Sequence, residues 1–142
     1  CPPLGPISAV VVNYQGEAYL EACIRSIQAQ SLPVAEVIVV ENDSTDGSLN
    51  LLNTHFRDVE ILRMVENVGA CTARNVGMRA AKYRWVLLVD NDVVLAEDTL
   101  EQLAGLAIYT MQTRHQDSLH CLCLLKGMLK MDPRQIVLNL LI

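Results

Sequence analysis

Three runs of β-branched and aliphatic residues, Val10-Val11-Val12, Val37-Ile38-Val39-Val40 and Val86-Leu87-Leu88-Val89, each give way to polar residues and then to helical periodicity. Runs that are apolar at consecutive positions suit strands covered on both faces, the condition of a parallel sheet flanked by helices. Ile7 to Val12 reads as a first strand, and Leu20, Cys23, Ile24 and Ile27 recur at helical spacing through Gln30, with Pro33 marking the break. Glu36 to Val40 reads as an interior strand. Ser44-Thr45-Asp46-Gly47-Ser48 then offers hydroxyl and carboxylate caps for a helix through about Thr54. Val59 to Met64 is a weaker strand. Asn67-Val68-Gly69 is a turn before a helix through about Lys82, in which Val76, Ala80 and Ala81 can face the sheet, while Gly69 and Gly77 suit a positive-φ turn or a close backbone approach. Trp85 to Val89 is the clearest strand; it stops at Asp90-Asn91-Asp92, and Ala96-Glu97-Asp98-Thr99-Leu100 opens a further helix. Right-handed crossovers make all four strands parallel and gather the loops that follow them on one edge.

The chain is 142 residues long and 51% hydrophobic, which suits one packed domain and excludes wholesale disorder. A net charge of −5 without a long basic run excludes nucleic acid as a partner held by bulk electrostatics. No apolar run approaches the roughly 20 residues of a spanning helix. Residues 1–6, Cys1-Pro2-Pro3-Leu4-Gly5-Pro6, lack the character of a signal peptide and are expected to be a leader at a cut end. The α/β domain is expected to occupy residues 7–105. Residues 106–142 form an atypical tail without an assigned role, in which Leu119 to Met131 suits a helix and Ile136 to Ile142 a strand or helix. The acid lies in the first part: residues 1–105 hold 7 basic and 14 acidic side chains, a net −7. Five scattered cysteines point to a reducing, cytoplasmic compartment.

In an open parallel sheet, ligands sit beyond the carboxyl ends of the strands. Here those ends are Asn13-Tyr14, Glu41-Asn42-Asp43 and Asp90-Asn91-Asp92. Four acids on one edge (Glu41, Asp43, Asp90, Asp92) call for a compensating cation or donors. Asp90 and Asp92 offer hard oxygen ligands to Mg²⁺ or Mn²⁺, which would neutralise a diphosphate; the alternative is an acidic turn that caps the next helix. Tyr14 can stack on a base and Asn42 or Asp43 can read its edge, against plain packing and turn formation. Arg74 can reach a base, ribose or phosphate, and Asn75 can tie the loop to its neighbours, against a solvated arginine. His120-Cys121-Leu122-Cys123 lacks a second ligand pair at zinc spacing.

Four blocks in order, Ile7 to Tyr14, Val37 to Ser48, Glu66 to Gly77 and Trp85 to Asp92, resemble the family 2 glycosyltransferases. The resemblance covers residues 7 to about 105. It implies a Rossmann-like, glycosyltransferase-A type α/β fold of three layers, mainly parallel and with helices on both faces, truncated in this chain. It implies a nucleotide-diphosphate sugar donor, with Asn13, Tyr14, Glu41, Asn42, Asp43, Arg74, Asn75 and Asp90 toward the nucleotide and Asp90 and Asp92, the DxD motif, toward Mg²⁺ or Mn²⁺. Transfer would invert configuration: an acceptor hydroxyl, deprotonated by a carboxylate base, displaces the nucleoside diphosphate. The acceptor would be a glycan or lipid-linked, reached at the inner face of the membrane, with the Leu122 to Lys130 stretch as a peripheral contact. Glu41 stands where the family usually has Asp. Asp117 and Asp132 are the tail's acids and neither has the context of a catalytic base, which stays unassigned. Two alternatives remain open at this point: a non-catalytic nucleotide-binding or interaction module, and a phosphatase of the haloacid dehalogenase type, for which Val89-Asp90-Asn91-Asp92-Val93 also matches.

Overall fold

Alternation along the central strands decides the architecture. Ile7, Ala9 and Val11 turn to one face of a sheet and Val10 to the other, and the next strands follow suit: Val37 and Val39 against Ile38 and Val40, then Trp85, Leu87 and Val89 against Val86 and Leu88. Both faces are therefore buried, as consecutive apolar runs require. The computed structural model describes residues 5–105 and 136–139. Its elements run β1 (Ile7–Asn13), α1 (Leu20–Gln28), β2 (Glu36–Glu41), α2 (Ser48–His55), β3 (Glu60–Arg63), α3 (Ala70–Ala80), β4 (Trp85–Asp90) and β5 (Ile136–Asn139). Residues 99–105 are helical as well.

The strands pair in the order β3-β2-β1-β4-β5, parallel throughout. Leu20, Cys23, Ile24 and Ile27 of α1 and Leu52 of α2 pack on the face that carries Val11, while Ala73 and Met78 of α3 pack on the face that carries Val10. This is the expected three-layer α/β fold. The chain moves outward from β1 to β3 with helices on one face, then crosses back over the other face to β4, so the order reverses between β1 and β4. β5, from the part of the sequence without an assigned role, extends the sheet by pairing Trp85 with Ile136 through Leu88 with Asn139. The expected helix over Leu119 to Met131, the His120 to Cys123 tract, the Leu122 to Lys130 stretch, Asp117 and Asp132 lie outside the described residues.

The expected carboxylate cap of α2 is present: Gly47 is the N-cap and has no side chain to give, and Asp46 supplies the acceptor, joined by Glu17, which the sequence did not suggest. Asp46 Oδ1 accepts from Ser48 N at 3.0 Å, and Glu17 Oε2, from the preceding loop, accepts from Gly47 N at 2.9 Å. On α3, Ala80 and Ala81 pack against the sheet as expected, but the same expectation for Val76 is corrected, since it is only half-buried; Ala73, Gly77 and Met78 are the buried sheet-facing positions. Small residues let the helix approach the sheet closely. A Cβ on Gly77 would stand 2.3 Å from Val10 Cγ1 and 3.0 Å from Val40 Cγ2. Both neighbours are stiff β-branched core residues, so Gly77→Ala is expected to destabilise the fold by about 1–3 kcal/mol, read from urea unfolding.

The opposite, amino edge of the sheet is closed by Glu36. Ser8 Oγ donates to its Oε1 at 2.6 Å, Lys82 N donates to the same oxygen at 2.7 Å, and Lys82 Nζ lies 3.2 Å from Oε2. Burial alone would raise its pKa, but these donors outweigh burial and hold the carboxyl below its ordinary value. Gly69, at φ 78°, makes the left-handed turn into α3 that the sequence suggests.

Candidate functional site

β1, β2 and β4 end level with one another. Asn13 is in register with Glu41, and Val12 with Asp90, which sets Asn13, Glu41 and Asp90 side by side on the carboxyl edge. The reversal between β1 and β4 opens the crevice where such sheets take ligands. Its floor is a bonded set of side chains, Asn13 and Glu41 buried and Ser44 and Asn91 half-buried. Asn13 Nδ2 donates to Glu41 Oε2 at 2.6 Å and to Ser44 Oγ at 3.3 Å, and Asn13 Oδ1 accepts from Asn91 Nδ2 at 2.9 Å. Glu41, 2% exposed, also accepts from Ser44 N at 2.8 Å on its other oxygen. The Glu41 carboxylate thus accepts from Ser44 N of its own loop and from Asn13 Nδ2, the donors a buried carboxylate needs. Gly16 roofs this set: a Cβ there would stand 2.2 Å from both Asn13 Oδ1 and Asn91 Nδ2.

Asn42 is buried as well. Its Nδ2 donates to Asn67 Oδ1 at 3.0 Å and its Oδ1 accepts from Val68 N at 3.0 Å, which fastens the end of β2 to the turn that opens α3. Asn75 is buried on α3. Two groups remain open to a ligand on this side: Tyr14, 49% exposed, and Asp43, exposed and in the left-handed region at φ 63°. Sequence reasoning missed the brace beneath them. Gln15, at φ 51°, accepts from Thr45 N and Asp46 N at 3.1 Å each and donates to Thr45 Oγ1 at 2.7 Å, while Glu17 N donates to Asp46 Oδ2 at 2.9 Å. The loops after β1 and β2 therefore hold each other. No local pattern in the sequence marks Gln15 as the partner of Thr45 and Asp46, which lie 30 and 31 positions on.

At β4, Arg74 Nη2 lies 2.5 Å from Asp90 Oδ1, with the arginine side chain largely buried and the carboxylate half exposed. Asp92 is exposed. The Cys23 thiol is pushed up to about 12, by burial first and then by the charges of Asp92 and Asp90. It donates to Asp90 O at 3.4 Å. The four acids do not pool their charge, since Glu41 is satisfied by Asn13 and Ser44 and Asp90 by Arg74. Among the described residues no three His, Cys, Asp or Glu side chains gather closely enough to hold a metal. Asp90 and Asp92, two residues apart, carry hard oxygens of the kind that suits Mg²⁺ or Mn²⁺, with phosphate oxygens and water needed to complete the shell. No described helix is long and apolar enough to cross a membrane.

Fold and edge together define a doubly wound α/β protein with a polar crevice at its topological switch point. The glycosyl transferase family 2 model matches residues 8–111, and the chain belongs to that family. It is 33% identical over 99 residues to the putative teichuronic acid biosynthesis glycosyltransferase TuaG of Bacillus subtilis, a match that takes in 68% of this chain and 39% of the relative. It is 32% identical over 100 residues to the glycosyltransferase GlyG of Streptococcus pneumoniae, covering 68% of this chain and 33% of that one. Among solved structures, S. aureus TarS 1-349 in complex with UDP superposes with a TM-score of 0.65 at 27% identity over 76% of this chain and 33% of its own. The same fragment with UDP-GlcNAc gives the same score over 32% of its length. The chain thus spans 39% and 33% of the two curated relatives. With the family shown, the phosphatase alternative is dropped.

Proposed function

We propose that residues 7–105 bind a nucleotide-diphosphate sugar at the carboxyl edge of β1, β2 and β4 and serve the transfer of its sugar to an acceptor hydroxyl. The observation that carries this is the placement of Asp90 at the switch point, paired with the guanidinium of Arg74 and followed two residues on by the exposed Asp92. That TarS has been solved with UDP and with UDP-GlcNAc supports a donor of this class. Tyr14 stacks on the base and Asp43 meets its edge. Asn13, Glu41 and Asn42, whose side chains are buried, hold the loops that present those two groups, and Asn75 is buried on α3. Arg74 offers its positive charge to the diphosphate. Asp90 and Asp92 hold Mg²⁺ or Mn²⁺, which when bound neutralises the diphosphate and favours its departure. The acceptor, a glycan or a lipid-linked one, is met on the cytoplasmic side, at the inner face of the membrane.

Calorimetric titration with uridine and deoxythymidine diphosphates, with and without Mn²⁺, followed by a donor-hydrolysis assay, tests this reading. Binding that Mn²⁺ strengthens is expected; no binding of either nucleotide under both conditions rejects it. Tyr14→Ala is expected to weaken nucleoside binding by about 1–3 kcal/mol, the usual worth of one stacked base. The half-exposed ring contributes little to the core, so thermal unfolding should move little while the nucleoside titration shifts.

A further inference from the structure

Residues 91–98 carry Asp92 and lie outside the sheet ladders. Leu95 and Leu100 sink into the core and attach this loop, but attachment does not fix how it points. Its start is a turn in which Val93 N donates to Asp90 O at 3.2 Å, and its further path is set by polar atoms on and just beyond α1. Cys23 Sγ donates to Asp90 O; Ser26 Oγ donates to Cys23 O at 2.7 Å and accepts from Leu95 N at 3.0 Å. Gln30, 6% exposed, donates to Ser26 O at 3.0 Å and to Ala96 O at 2.6 Å, and accepts from Leu100 N at 2.9 Å. Ser31 N donates to Glu97 O at 2.7 Å. Positions 23, 26 and 30 step by three and four, one face of a helix. The stripe that buries Leu20 and Ile27 against the sheet thus turns polar where it meets the loop and grips it at residues 90, 95, 96 and 100.

We propose that Ser26 and Gln30 are positioning residues for the Asp90/Asp92 pair, holding the 91–98 loop on the path that brings Asp92 beside Asp90 for a divalent cation and a diphosphate. This rests on the reading of those aspartates as metal ligands. Neither residue touches the ligand. Each supplies a bond that a loop peptide group would otherwise lack, and carboxylate ligands left to a loosely held loop lose affinity.

The test uses the full chain with Ser26→Ala, Ser26→Thr, Gln30→Leu and Asp92→Ala. Calorimetry measures the Mn²⁺-dependent affinity for uridine and deoxythymidine diphosphates, and separately the metal-free affinity for the nucleosides. Electron paramagnetic resonance follows bound Mn²⁺. Ser26→Ala and Gln30→Leu are expected to lose about tenfold in Mn²⁺-dependent diphosphate affinity while nucleoside affinity stays within about twofold, and Ser26→Thr, which keeps the hydroxyl, to restore the wild-type value. Equal losses for both ligands, or no loss while wild type still needs Mn²⁺, overturn the positioning role. If wild type and Asp92→Ala bind the diphosphates alike with and without Mn²⁺, the metal reading itself fails and the positioning role falls with it. Should Gln30→Leu not fold, Ser26→Ala, at a half-buried position, decides the matter alone.

Discussion

Asp92→Ala should abolish the gain in diphosphate affinity that Mn²⁺ provides, a fall of at least about a hundredfold or about 2.7 kcal/mol, with the fold unchanged. Asp92 is exposed and its carboxylate makes no hydrogen bond or ion pair among the described residues, so its removal costs no more than about 0.5 kcal/mol of stability. Asp90 cannot substitute for it, because one of its oxygens already accepts from Arg74 and a lone carboxylate holds Mg²⁺ or Mn²⁺ weakly. Calorimetry with and without Mn²⁺, beside a thermal melt, separates the two effects. An Mn²⁺ dependence equal to that of wild type would leave the Asp-x-Asp as an acidic turn.

Asn13→Ala is expected to destabilise the domain by about 2–4 kcal/mol, the largest loss of stability from any single site side chain. The deleted amide is fully buried and is shared among Glu41, Ser44 and Asn91. Its loss leaves a carboxylate, 2% exposed, with one donor fewer, and frees Asn91 between the two aspartates. Adding Glu41→Gln to Asn13→Ala removes the buried charge and should recover part of the loss. Urea unfolding of the single and double variants measures the coupling. A single-variant loss below about 0.5 kcal/mol would mean that water reaches the crevice floor and satisfies Glu41.

Much of the fold was legible in the residues. The Val10, Val37 and Val86 runs specify strands covered on both faces, and the structure places β1, β2 and β4 there within a residue of the expected bounds. The strand-end polar residues were bound to meet, because parallel strands joined by right-handed crossovers deliver all their carboxyl ends to one edge. Less legible was what each of those residues does. Asn13 and Asn42 look as available as Tyr14 in the sequence, yet their side chains are spent on Glu41, Asn91 and Asn67. The brace from Gln15 to Thr45 and the grip of Ser26 on Leu95 join residues 30 and 69 positions apart. No local pattern announces such bonds.

Composition and periodicity alone determined that this chain folds as helices over a parallel sheet, because burial of apolar faces depends on spacing along the chain. They also placed Asp90 and Asp92 at a strand end. Only the tertiary structure decided which polar groups are satisfied by one another and which stay open to a ligand, because a hydrogen bond between side chains depends on where distant backbones come to rest. It likewise decided that Ile136–Asn139 lies along β4, since a short apolar segment carries no mark of the strand it will pair with.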